Sequence, residues 1–382
     1  MNLPLLGLTV LDLSRVLAGP YATQMLGDLG AEVWKIERPG IGDETRAWGP
    51  PFVGDTSAYY LSVNRNKKSA VVDFCDPAQC ETVRRAAARA DVVVENFQPG
   101  HLTRFGLDAA TLHRANPELV VCSITGFGQD GPYAALPGYD AVLQGFVGLM
   151  SITGEPEGPP LKVGVAIVDV LTGAHAAAAI LAALVGRLRG RGGAHLDVAL
   201  FEVGIAGLVN VVQSALVTGA PARRHGNAHP HIVPYQTFET LDGLLVVAVG
   251  NDEQWRRLCA ALDAPHWAND ARWADNPGRV LHREELLPAL AARFAACTRA
   301  EWLGRLEAAG VPAGPVRDLA DVVRDPALAQ RGFVVSDGVT GSKDVPLLTL
   351  PWRIDAQRPP VVLRPPRLGE HTAEFLARFP VL

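Results

Sequence analysis

Short apolar runs alternate along this chain with longer stretches of helical spacing. Residues 8–13 (LTVLDL), 32–37 (EVWKIE), 70–74, 91–95, 119–124 and 195–199 have the composition and length of strands. Helical spacing fills the segment after Pro20 through Met25 and Leu29, residues 77–90, a stretch from His101, an alanine-rich stretch after Gly173 and an apolar stretch through Val217. Pro20 suits the first turn of its helix and Gly30 suits the stop. Strands alternating with helices at a spacing of about thirty residues predict βαβ units. The fold class expected is α/β, with a Rossmann-like large domain built on a parallel sheet. Ligands in such sheets bind at the carboxyl ends of the strands, here the loops at 16–20, 38–43, 96–100 and 125–128.

The pattern changes at residues 218–230, rich in Arg, Gly, Pro and His. Beyond it, residues 235–239 and 244–249 form a hairpin signal around Asp242-Gly243, and helices follow at 252–261, 284–296 and 301–309. Thr298 with Glu301 forms a capping box for the last of these, and Gly310 its stop. These boundaries give a large domain over 1–217, a smaller α+β domain over 218–324 and a C-terminal return to the large domain over 325–382.

One run breaks the pattern of apolar interiors. Residues 163–173 (VGVAIVDVLTG) place a single carboxylate, Asp169, among apolar neighbours. The run reads as a strand or a strand-to-helix junction packed on both faces. A carboxylate there needs a hydrogen-bonding or charged partner, or a chemical task, because burying it alone costs several kcal/mol, of the order of ~5. A helix cap and a nucleophile both satisfy that requirement.

Composition narrows the function classes. The 382 residues are 48% hydrophobic, enough for two cores, and the formal net charge of -5 argues against nucleic acid or an anionic membrane as the main partner. Five scattered cysteines without a CxxC pair suit a reduced, cytoplasmic protein. The N-terminal residues carry no basic region or cleavage signal. The longest apolar helix expected, residues 174–185, falls short of the ~20 residues a bilayer requires. Walker A, GxSxG and HExxH motifs are absent, and no GxGxxG follows the first strand. His225, His229 and His231 sit in a Gly/Pro-rich loop without metal-ligand spacing. Basic residues Arg38, Arg65, Lys67 and Lys68 flank strand ends, where a small anion would fit.

Several segments together resemble the family III CoA-transferases: residues 10–12 (VLD) with 18–20 (AGP), 30–33 (GAEV) with 35–39 (KIERP), 94–97 (VENF) with 99–100 (PG), and Asp169 followed by Thr172-Gly173. The match runs in order along nearly the whole chain. Residues 45–52 (TRAWGPPF), 60–69 (YLSVNRNKKS) and 232–236 (IVPYQ) resemble the branch that moves CoA between succinyl-CoA and dicarboxylic acids such as glutarate. The resemblance implies that Asp169 is the catalytic nucleophile. It implies that Arg38, Asn96, Phe97 and Arg104 face CoA, with Val16, Leu17, Ala18 and Tyr139 completing that set. It also implies a ring-shaped chain in an interlocked homodimer, acyl-CoA as substrate and no tightly bound cofactor. Arg46 and Arg65 are candidates for the far carboxylate of the acceptor.

Two departures from the family pattern limit the transfer. Leu17 stands where the formyl-CoA enzyme has a glutamine, which weakens oxalate-type chemistry. Tyr139 stands where the racemase branch has a histidine, and a phenol with a reference pKa near ~10 is a poor base at neutral pH. A CoA-ester racemase, or a CoA-ester-binding protein without turnover, remains the alternative to a transferase.

Overall fold

A computed structural model describes residues 2–335 and 345–380. The chain divides into two units, Met1–Leu149 with Lys162–Ala220 and Pro326–Leu382, and Met150–Leu161 with Pro221–Asp325. Met150–Leu161 lies inside the large domain on the sequence boundaries, yet it belongs to the second unit. Arg224 explains this, since its guanidinium donates to the carbonyls of Ser151, Glu155, Pro156 and Gly158.

The first unit is built on strands β1 (Thr9–Asp12), β2 (Glu32–Glu37), β3 (Lys67–Val71), β4 (Val92–Glu95), β5 (Val120–Thr125) and β6 (Ala194–Ala199). They form one parallel sheet in the order β3-β2-β1-β4-β5-β6. The order reverses between β1 and β4, so the loops after these two strands diverge and leave a crevice. The sheet lies between two apolar clusters. One includes Leu26, Val33, Val94, Cys122, Ala176 and Ile180, the other Leu11, Trp34, Val83, Val93, Val121 and Phe375. Phe375 lies on the Thr372–Arg378 helix, near the C-terminus.

The strand expected at residues 70–74 begins instead at Lys67. Periodicity misses it because Lys67 is a fully buried cation, paired with Asp12 at 3.0 Å. Asp12 also accepts from the Thr23 hydroxyl at 2.7 Å and from Ser14 N–H at 3.0 Å. Burial raises the Asp12 carboxyl, but the charges of Lys67 and Lys35 and the hydroxyls of Ser14 and Thr23 outweigh it and bring the pKa to about 2. Burial draws Lys67 the other way, down to about 8.

The run around Asp169 is not a strand. Residues 163–166 have no regular structure, and Ile167–Leu188 is one helix of 22 residues with Asp169 in its first turn. The apolar helix expected at 174–185 is therefore longer, and by length and composition alone it would cross a membrane. Here Val168, Ala176, Ala177, Ile180 and Leu184 are buried in the core of the unit. Gly173 lets the Ala18–Asp28 helix approach, since a Cβ there would lie 2.6 Å from the Ala18 carbonyl. The apolar stretch through Val217 is two helices, Leu200–Ala206 and Val209–Thr218, bent by 82°.

In the second unit, strands Tyr235–Thr240 and Gly243–Ala248 pair as an antiparallel hairpin, joined by Ala313–Pro315 at the edge. Helices Asp252–Ala261, Arg283–Phe294 and Arg299–Ala308 cover it, with Trp255, Leu290, Phe294 and Leu306 fully buried. The Thr298–Glu301 capping box is formed.

Replacing Lys67 by Met should strand the Asp12 carboxylate in the core. We expect a loss of about 3 kcal/mol in urea unfolding, measured at constant m-value.

Candidate active site

The crevice at the β1/β4 divergence is closed by the segment that follows each strand. After β1, Arg15 N–H donates to Asn96 Oδ1 at 2.9 Å, and Asn96 Nδ2 donates back to the Arg15 carbonyl at 2.7 Å. Val16 has φ 71, a left-handed conformation unusual for a β-branched residue. Asp43 holds it there, accepting Val16 N–H on both oxygens at 3.3 Å. Asp43 is in turn fixed by Lys35 at 2.9 Å, and Lys35 also donates to the Ser14 carbonyl at 2.9 Å. The Ala18–Asp28 helix then starts without a side-chain cap, so its first N–H groups are available to an anion or a developing oxyanion.

Asp169 faces this crevice. It lines one cavity with Val16, Leu17, Ala18, Asn96, Phe97 and Tyr139. The far wall is thin because Gly126 and Gly138 cross with no room for a side chain, a Cβ on Gly138 falling 2.4 Å from the Gly126 Cα. Among the described residues no side chain hydrogen-bonds the Asp169 carboxylate. Burial, and secondarily the Asp140 carboxylate, raise its pKa from 3.8 to about 7. A half-buried, unpaired carboxylate of this kind is a competent nucleophile once ionised.

Asp140 was not singled out by the sequence, yet it positions Asp169. Its Oδ1 accepts the N–H of Val168 at 2.8 Å and of Asp169 at 3.3 Å, capping the Ile167–Leu188 helix from outside. Its Oδ2 accepts from Gln144 at 2.6 Å, and Gln144 accepts the Val163 N–H at 2.8 Å. In Gly138-Tyr139-Asp140 the aromatic residue is the conspicuous one in sequence, yet Tyr139 is 61% exposed and Asp140 is buried. Tyr59 was also missed. Burial raises its hydroxyl to about 12, and the charge of Asp169 adds to this.

A second cavity of about 450 Å³ adjoins the first across Phe97 and contains Arg38 and Arg104, with Arg15, His101, Phe74 and Phe105. The Phe97 ring stacks on His101 at 5.3 Å between centroids, and the Arg15 guanidinium lies 5.1 Å above it. Glu44 holds Arg15 at 2.9 Å and Arg38 at 3.2 Å. Aromatic walls beside three arginines suit a nucleobase and its phosphates. Arg15, His101, Phe74 and Phe105 were legible only once the strands were ordered β3-β2-β1-β4.

Arg46 and Arg65 do not join this site. Arg46 is buried, donating to both oxygens of Glu37 at 2.8 and 2.6 Å, to Tyr60 at 2.6 Å and to the Pro366 carbonyl. Arg65 is buried against Asp28, at 2.5 Å for the ion pair. Their hydrogen-bonding capacity is spent inside the fold, and neither lines the cavity with Asp169. Among the described residues that cavity is lined by no Arg, Lys or His.

A parallel-sheet crevice holds a desolvated aspartate on one side of Phe97 and an arginine-rich aromatic cavity on the other, a pairing that suits a nucleotide-bearing thioester. The chain belongs to CoA-transferase family III, whose profile matches residues 5–372. It is similar to the succinate–glutarate CoA-transferase of Agrobacterium fabrum, 46% identical over 98% of this chain and 95% of that protein. The human succinyl-CoA:glutarate CoA-transferase is 43% identical over 98% of this chain and 85% of that protein. Among solved structures, a CAIB/BAIF family protein from Brucella suis is similar with a TM-score of 0.86 and 43% identity, covering 99% of this chain and 100% of that one.

If Asp140 raises the Asp169 pKa through its charge, the acid limb of kcat/KM reports it. The carboxylate is the reactive form, so activity should rise with pH through about 7. Asp140→Asn should move that limb to lower pH.

Proposed function

We propose that this chain transfers CoA from succinyl-CoA to glutarate with Asp169 as covalent nucleophile. The carrying observation is the unpaired Asp169 carboxylate beside the uncapped start of the Ala18–Asp28 helix. Asp169 attacks the thioester carbonyl of succinyl-CoA and CoA thiolate leaves, forming a succinyl-aspartyl anhydride. The thiolate attacks the aspartyl carbonyl of that anhydride, releasing succinate and leaving an aspartyl-CoA thioester. Glutarate then attacks this thioester, thiolate departs again, and its return to the glutaryl carbonyl yields glutaryl-CoA and free Asp169. The uncapped start of the Ala18–Asp28 helix, whose Ala18 lines the Asp169 cavity, offers backbone N–H groups to each tetrahedral oxyanion. The apolar walls, Leu17, Ile124, Leu136 and Leu200, keep water from the anhydride.

The names of the similar proteins support the donor and acceptor; no residue of the Asp169 cavity supplies a cation for the far carboxylate. Arg38, Arg104 and Phe97 receive the nucleotide end of CoA, and Val16, Leu17, Ala18, Asn96 and Tyr139 the thioester end. CoA enters as substrate and no resident cofactor takes part. Racemisation needs a second base across the α-carbon, and among the described residues Tyr139, a phenol, is what stands on that side of the Asp169 cavity. Five unpaired cysteines support a reducing cytoplasmic setting.

The working form is an interlocked homodimer. The Val209–Thr218 helix buries none of its residues, and Leu216 and Val217 are each 75% exposed, an apolar face that a second chain would cover. Light scattering should therefore give about twice 40.7 kDa, and a mass of one chain would contradict the dimer.

Incubation with succinyl-CoA and glutarate should yield glutaryl-CoA and succinate by mass spectrometry. Asp169→Ala should lower the rate at least ~10³-fold without lowering the melting temperature. Retention of transfer by that variant would overturn the assignment.

A further inference from the structure

Behind the Asn96–Phe97 loop lies a polar chain, buried at Glu95 and Ser123 and reaching the surface at His195, that the transfer mechanism does not use. Glu95, the last residue of β4, is 7% exposed, and its Oε2 accepts the Phe97 N–H at 2.8 Å. Across the sheet Glu95 is in register with Ser123 on β5, and Ser123 with Asp197 on β6. The Ser123 hydroxyl hydrogen-bonds Glu95 and lies 3.0 Å from His195 Nε2. With Glu95 ionised, one assignment of protons satisfies every member: His195 Nε2–H donates to Ser123, Ser123 O–H donates to Glu95, and Glu95 accepts Phe97 N–H.

We propose that Glu95 is a positioning residue that holds the Asn96–Phe97 loop in the shape that receives acyl-CoA, and that Ser123 and His195 set its hydrogen-bonding state. This rests on the assignment of Phe97 to CoA binding. Phe97 lines both cavities, so a shift of its backbone displaces the wall of each. The groups facing the chain are Asp197, which accepts the Gln129 N–H at 2.9 Å, Asp108, which lines the same small cavity, and His113, whose charge would oppose protonation of His195. Burial pushes the Glu95 carboxyl up, with Asp197 adding to it, and burial pushes the His195 imidazole down. As pH falls, a Glu95 carboxyl pushed up by burial takes a proton and becomes a donor to Ser123. Its bond from Phe97 N–H then changes from charge-assisted to neutral and weakens. The KM for acyl-CoA therefore rises toward acid pH, separably from the protonation of Asp169, which lowers kcat and kcat/KM together and leaves KM unchanged.

The test compares wild type, Glu95→Gln, Ser123→Ala and Phe97→Ala as full-length enzyme, measuring KM for succinyl-CoA and kcat between pH 5 and 8.5. Glu95→Gln mimics the protonated carboxyl. It should raise KM about fivefold to tenfold at pH 8, with kcat within about twofold of wild type, and make KM insensitive to pH. Ser123→Ala removes a donor to the carboxylate and should move the acid rise in KM to higher pH, a displacement that loss of packing alone does not produce. Phe97→Ala should raise KM at every pH. If Phe97→Ala raises KM while the KM profile of Glu95→Gln stays parallel to wild type, Glu95 does not position the loop. If neither variant changes KM, the loop does not bind acyl-CoA, and both assignments fall.

Discussion

The first unit depends on one buried carboxylate. Asp12 ends β1 with zero exposure and binds together Lys67 on β3, Thr23 on the following helix and Ser14 at the start of the loop. Lys35 on β2 extends the network from the Ser14 carbonyl to Asp43, and Asp43 fixes Val16 in its left-handed conformation. Buried ion pairs are poor sources of net stability but strong sources of registry, because any other arrangement leaves a charge alone in the core. The strands β1, β2 and β3 are locked to one loop geometry in this way, and that loop forms one wall of the crevice containing Asp169.

The opposite wall is organised around a second acid. Asp140 caps the Ile167–Leu188 helix from outside and sits close enough to Asp169 to oppose its ionisation. The same carboxylate thus aims the reactive group and tunes it. An aspartate in the first helical turn would ordinarily be favoured as an anion by the helix dipole. Here Asp140 occupies the N–H groups that would have provided that stabilisation, and the Asp169 carboxylate is left desolvated, with no side-chain hydrogen bond among the described residues.

Much of the sheet was legible from the chain alone, because β4 and β5 are apolar runs, β1 is nearly so, and β2 and β6 keep β-branched or aliphatic residues at short, strand-length spacing. β3 was misplaced because two of its three buried positions are Lys67 and Ser69, and periodicity counts such residues as surface. The segment around Asp169 was misjudged for a related reason. Val, Ile and Leu in a short run do not distinguish a buried strand from a buried helix, and the capping group that decides the matter lies 28 residues earlier in the chain. The same limit misled the choice of Arg46 and Arg65. Their charge and position are visible in sequence, but Glu37, Tyr60 and Asp28, which consume their hydrogen bonds, are brought to them only by folding.

The account stands on covalent participation of Asp169. Glutarate labelled with oxygen-18 in its carboxylates provides the most direct measurement. After turnover with succinyl-CoA, the attacking oxygen of glutarate should remain in the Asp169 carboxylate, and the peptide containing Asp169 should carry the label by mass spectrometry. Succinate released in later turnovers should then carry that oxygen too. Labelled succinate with an unlabelled Asp169 peptide would mean direct transfer between the two acids, and would contradict the account.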